Sequence, residues 1–140
     1  MHLVWINLIP QLMDLWRGKF NDLDTRAEEY GIDPLLINLI GNICVKSGVT
    51  FPSDFGCRVP HFKNRLHFTA ESWSMWALHY APYLLRRQFQ KSRYYTHSVR
   101  LIKILKEVMD YEIQCAELPR ICTEIIEWVE EFEQLVHINY

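Results

Sequence analysis

Apolar residues recur at spacings of three and four along most of the chain, and strict alternation is sustained nowhere, so the pattern predicts helices rather than strands. Between Leu3 and Trp16, the residues Trp5, Ile9, Leu12 and Trp16 share one helical face, with a stop at Gly18. Pro10 interrupts this run and predicts a kink or two short helices. Residues 18–32 are polar and read as a loop with at most one helical turn. Asp33 as N-cap and Pro34 at the first helical position announce a second helix, LLINLIGNICVK, closed by Gly48.

Residues 49–66 contain Pro52, Gly56 and Pro60 without a sustained period, which predicts an ordered surface connection. Thr69 is placed to cap a third helix running to about Gln88, with Phe68 and Trp73 spaced as a hydrophobic staple. Its apolar stripe is Trp73, Trp76, Tyr80 and Leu84, and Pro82 predicts a bend. A fourth helix covers about 94–112, with Leu101, Ile104, Leu105, Val108 and Met109 inward. A fifth covers about 117–136, where Leu118, Ile121, Cys122, Ile125, Trp128, Val129, Phe132, Leu135 and Val136 keep the helical rule. The expected fold is therefore all-α, about five helices in an orthogonal or bundle-like array. The expected organisation is one domain over 1–140, with a first part to residue 66 and three C-terminal helices over 67–140.

Composition changes this picture little and charge changes it more. The chain has 140 residues, of which 49% are hydrophobic, enough for one core and too rich for a disordered tail. No apolar run reaches the roughly 20 residues of a membrane span, and the N-terminus has neither the basic start nor the small-residue cleavage site of a secretory signal. The net charge of -2 conceals a division. Residues 58–106 carry ten basic groups and a single acid, Glu71, whereas residues 107–140 carry nine acids and only Arg120. The basic part invites a nucleic-acid reading, and with equal weight an ion-paired match to the acidic helix after it.

Scattered glycines exclude phosphate-binding loops, so no nucleotide is expected, and no G-x-S-x-G string supports a serine hydrolase. The four cysteines lack C-x-x-C spacing and read as reduced, buried thiols, although Cys57, His61 and His67 are near enough in sequence to be weighed as zinc ligands. Isolated histidines such as His79 and His97 read as structural. Glu71 falls in the first turn of its helix, where the dipole favours an acid. Its catalytic alternative is a metal-binding carboxylate, which would need at least two more acids beside it.

The strings MHLVWINLIPQLMDLWRGKF, TAESWSMWALHYAPYLLRRQF, SRYYTHSVRLIKIL and EIIEWVEEFEQL resemble, in order, the C-terminal part of fungal DNA-transposon transposases of the CACTA (En/Spm-like) and Kyakuja-Dileera-Zisupton groups. The resemblance implies an RNase H-type catalytic domain using three acids and Mg2+ to cut and join DNA. It makes Glu71 the third acid and His2 the histidine of the acid-x-x-His signature. The matched stretch starts just after the place of that signature's acid, and neither the first acid nor the sheet that carries it has a counterpart.

The resulting expectation is a transposase-derived, catalytically incomplete helical domain, or a gene model starting at an internal Met, with no cofactor of its own and Mg2+ only if another chain completes the site. Residual nonspecific contact with the DNA backbone is assigned to Arg86, Arg87, Lys91, Arg93, Arg100 and Lys103. The alternatives are a subunit that completes a strand-transfer site with a second chain, and a protein-interaction module that self-associates or binds a partner. Descent and the missing export signal point to an intracellular, nuclear location.

Overall fold

The computed structural model describes residues 2–20, 28–50, 52, 56–110 and 112–136. Among these the chain is all-α, as its periodicity predicts: α1 (Ile9–Trp16), α2 (Pro34–Thr50), α3 (Ala70–Met75), α4 (Ala81–Leu84), α5 (Ser92–Val108) and α6 (Leu118–Val136), with 3-10 turns at Phe62–His67 and Cys115–Glu117. The chain divides into two compact units, Met1–Lys91 and Ser92–Tyr140. The run from α3 to α4 goes with the N-terminal unit. Of the expected loop over 18–32, residues 21–27 lie outside the described residues, as do 51 and 53–55 of the connection over 49–66.

Two prolines shape the N-terminal unit by the same means. Proline has no N–H to donate and its ring collides with the carbonyl four residues back, so an α-helix cannot pass through it unchanged. Ahead of Pro10 the backbone opens into a π-helical turn at Val4–Leu8, where the Ile9 N–H reaches back five residues to the Val4 carbonyl. Ahead of Pro82 a second π turn, Trp76–Tyr80, joins α3 to α4, and the Ala81 N–H bonds the Trp76 carbonyl. The expected breaks are thus absorbed by widened turns within continuous helical runs. A π turn also rotates the helix beyond it. The stripe expected through Tyr80 and Leu84 passes instead from Trp73, Trp76 and Ala77 to Ala81 and Leu85, and Leu85 is fully buried.

The expected caps are present. Leu35 N–H donates to Asp33 Oδ1 at 2.7 Å, and Thr69 and Ser72 form a reciprocal capping box at the start of α3. Phe68 stacks on Trp73 with ring centroids 4.1 Å apart, completing the staple. Phe62, from the 3-10 turn, lies edge-on to Trp76 at 4.9 Å and closes this aromatic core. The run ends at Leu84, with Leu85 as its C-cap, short of the expected Gln88, and beyond it Arg87 lies in the left-handed region at φ 63°.

Helix α2 runs through Gly48 to Thr50 rather than stopping there. Its buried residues are Ile37, Ile40, Gly41, Cys44 and Gly48, and the glycines let His61 and Arg58 lie directly on the helix. A Cβ at Gly41 would come within 2.7 Å of the His61 ring. His61 Nδ1 accepts the Lys63 N–H at 3.1 Å and so caps the 3-10 turn, while Nε2 donates to the Asn38 carbonyl of α2 at 3.3 Å.

In the C-terminal unit α5 and α6 pack against each other. Helix α5 buries Tyr94, His97, Ser98, Leu101, Ile102, Ile104 and Leu105. Met109, expected inward, is exposed beyond the helix end. Of the nine apolar positions predicted for α6, only Ile121 and Trp128 are buried. The centre of the pair is a stack of three near-parallel rings, His97, Trp128 and Phe132, with His97 and Trp128 4.5 Å apart.

Candidate functional site

Glu71 stands in the first turn of α3, exposed, on a helix whose N-terminal N–H groups are engaged by the Thr69 and Ser72 capping box. His2 is exposed just before the first π turn, and that turn packs against α3. The two positions thus lie on neighbouring segments. Among the described residues no three His, Cys, Asp or Glu side chains converge, so Glu71 has no companion acids there.

The zinc trio is not assembled either. Both ring nitrogens of His61 are occupied by backbone partners, the Cys57 thiol donates to the Arg58 carbonyl at 3.5 Å, and His67 is exposed. Nor are all the thiols buried as expected. Cys44 is fully enclosed and burial pushes its thiol up to about 12, but Cys57 is half-buried and Cys115 and Cys122 are exposed.

The basic residues assigned to DNA are divided between the two units and between two states. Lys91 pairs with Glu29. The Arg93 guanidinium donates to the Tyr94 hydroxyl at 2.9 Å and lies over the Tyr94 ring. Arg100 is held by two acids of α6, Glu127 at 2.6 Å and Glu131 at 3.2 Å, and these bonds raise its affinity for its proton. On the next turns Arg120 of α6 pairs with Glu107 of α5 and with Glu124 at 3.0 Å. The charge division seen in the sequence is in part this flank-to-flank pairing of α5 with α6. Arg86, Arg87, Lys103 and Lys106 are exposed and form no ion pair among the described residues.

A cleft of about 710 Å³ in the N-terminal unit is lined by Trp16, Arg17, Tyr30, Asn38, His61 and Lys63, among others. Burial makes the Arg17 guanidinium easier to deprotonate than usual. Asn38 Oδ1 is enclosed without a hydrogen-bond partner. The polar groups of the cleft bring no nucleophile against a general base.

What the sequence reading passed over is apolar surface. Helix α2 exposes Leu35 (79%), Leu39, Ile43, Val45 and Val49 (71%), on either side of a polar stripe through Asn42 and Lys46. Helix α6 exposes Leu118, Cys122, Ile125, Ile126 (58%) and Val129. The signal was in the text: LLINLIGNICVKSGV is apolar around most of its circumference, and nine apolar positions on α6 make an arc wider than one neighbouring helix covers. No family model matches the chain, and neither the curated proteins nor the solved structures give a match.

Proposed function

We propose that the chain is a protein-interaction module, a helical framework that presents apolar helix faces to another protein. The observation that carries this reading is large aliphatic exposure on two helices, Leu35, Leu39, Ile43 and Val49 around Asn42 and Lys46 on α2, and Leu118, Ile125, Ile126 and Val129 on α6. Clusters of exposed aliphatic side chains mark interaction sites, since a solitary domain gains by burying them. The order of the four transposase-like strings supports descent from a transposase.

A photo-crosslinking amino acid placed at Leu39 and, separately, at Lys103 tests the module in the cell. Discrete higher-mass adducts at Leu39 and none at Lys103 are expected. Adducts absent at Leu39, or equally abundant at Lys103, would sink the interaction reading.

One observation favours a second activity, weak contact with a nucleic-acid backbone. Arg86, Arg87, Lys103 and Lys106 retain exposed charges that no acid of the described chain neutralises. Such cations bind phosphates and position a duplex without reading its bases.

A further inference from the structure

The exposed side of α6 has a finer order than an apolar patch. Leu118, Cys122, Ile125 and Val129 succeed one another at spacings of four, three and four, and the half-buried Phe132, stacked on Trp128, and Val136 continue the period. That is the period of a seam into which a second helix sets its side chains. A parallel seam, through Ile121 and Trp128, already holds α5. Helix α6 is thus apolar on two adjoining stripes, and the second has its first four members, together with neighbouring Ile126, in contact with solvent. Over 19 residues it runs for roughly 28 Å, about five helical turns.

Charge selects the occupant. Helix α6 contains five glutamates and one cation, and that cation, Arg120, is already bound to Glu107 and Glu124. Glu124, Glu127 and Glu131 are used within the unit. Glu130 and Glu133, which border the free stripe beside Ile126, are exposed and form no ion pair among the described residues. A second α6 laid along this stripe would bring like charges together, whereas a helix with lysines or arginines flanking its apolar seam would be drawn to it.

Resting on the interaction-module reading, we infer that the α6 seam is the docking site for an amphipathic helix of a partner protein, basic along the edges of its apolar stripe. The complex is a helix-in-groove contact read at anchors seven residues apart. Cys122 lies inside the footprint, so its thiol reports occupancy directly.

The test uses the full chain and two labelled synthetic 21-residue helical peptides with Leu and Ile at the seam positions, one flanked by Lys and Arg and the other by Glu. In fluorescence anisotropy the basic peptide should bind at least tenfold more tightly than the acidic one. Binding should weaken at least tenfold with Ile125→Glu or Val129→Glu, and several-fold with Glu130→Gln and Glu133→Gln together. Alkylation of Cys122 should slow at least fivefold in the complex while that of Cys57 does not. The inference is overturned if both peptides bind equally, if neither binds at 100 µM, or if Cys122 stays open. It is overturned equally if Ile125→Glu dissolves a dimer of the chain seen by sedimentation, since a second copy would then occupy the seam. Crosslinks at Leu39 with no peptide binding at α6 would retain the module and discard only this seam.

Discussion

His97 and Trp128 each hydrogen-bond the other's backbone. The His97 Nε2–H donates to the Trp128 carbonyl at 3.0 Å, and the Trp128 indole N–H returns to the His97 carbonyl at the same distance. The reciprocal pair fixes the register of α6 on α5 at one point, because neither bond survives a slide of one residue. Trp128→Phe keeps a ring in the stack but removes one donor, and should cost about 1–2 kcal/mol. Trp128→Ala empties the centre of the contact and should cost about 3–5 kcal/mol. Urea unfolding followed by circular dichroism measures both, and equal losses for the two variants would show that the hydrogen bond, not the ring, holds the helices.

The same histidine makes this contact sensitive to acid. Burial lowers its pKa from the ordinary 6.5, against the opposing pull of the Trp128 carbonyl and the Glu131 charge, with Arg100 lowering it further. A histidine whose folded pKa is depressed is neutral in the native state when the unfolded chain already takes up a proton. Its contribution to stability is therefore complete above about pH 6.5 and is lost as the pH falls from there toward the folded value. The melting temperature should drop between pH 7 and pH 5, and the drop should be smaller in His97→Gln. An identical slope in that variant would assign the effect to other groups.

How far the sequence disclosed this molecule is best seen element by element. The caps at Asp33 and Thr69 and the Phe68–Trp73 staple were legible because each depends on residues within five positions of one another. The π turns were not, since proline announces a disturbance without saying whether the helix bends or widens, and the widening moved the buried position from Leu84 to Leu85. Pairing of Arg100 with Glu127 and Glu131 was foreshadowed by the charge division, but which cations it would consume depended on helix register. The convergence that Glu71 would need is a long-range property that no single string encodes.

Thiol exposure gives a chemical check on the burial pattern. Cys44 is fully enclosed on the buried side of α2, between Gly41 and Gly48, with its thiol held at about 12 by burial, so very little thiolate exists near neutral pH. Cys115 and Cys122 should react with iodoacetamide at near-peptide rates, Cys57 more slowly, and Cys44 only after unfolding. Mass spectrometry of partially labelled protein gives the order. Early labelling of Cys44 would mean that the buried side of α2 opens.

For DNA contact the pairing pattern sets a magnitude. Arg100 is committed to two glutamates and Lys91 to one, leaving Arg86, Arg87, Lys103 and Lys106. About four engaged phosphates correspond to a slope near -3.6 on a log-log plot of affinity against salt. Anisotropy titration of a random duplex should give that slope or a shallower one, reduced by about half in the Arg86→Ala, Arg87→Ala double variant and unchanged in Arg100→Gln. No binding at low salt would remove the second activity and leave the interaction module alone.

Two glycines on one face of α2 should respond oppositely to the same substitution. Glycine inside a helix costs about 1 kcal/mol relative to alanine, so Gly→Ala is favourable wherever a methyl group fits. At Gly48 the new Cβ would lie 3.5 Å from the Arg58 side chain, an ordinary contact, and Gly48→Ala should stabilise the protein by about 0.5–1 kcal/mol. At Gly41 it would come within 2.7 Å of the His61 ring. That ring cannot swing aside cheaply, because it spans two hydrogen bonds, one capping the 3-10 turn and one to Asn38 of α2. Moving it would sacrifice both, a loss of about 1–3 kcal/mol that exceeds the gain in helix propensity. Gly41→Ala should therefore lower the melting temperature, and the companion change His61→Ala, which makes room for the methyl group, should turn Gly41→Ala from unfavourable to favourable within that background. If Gly41→Ala stabilises the natural sequence, the segment around His61 is not seated on α2.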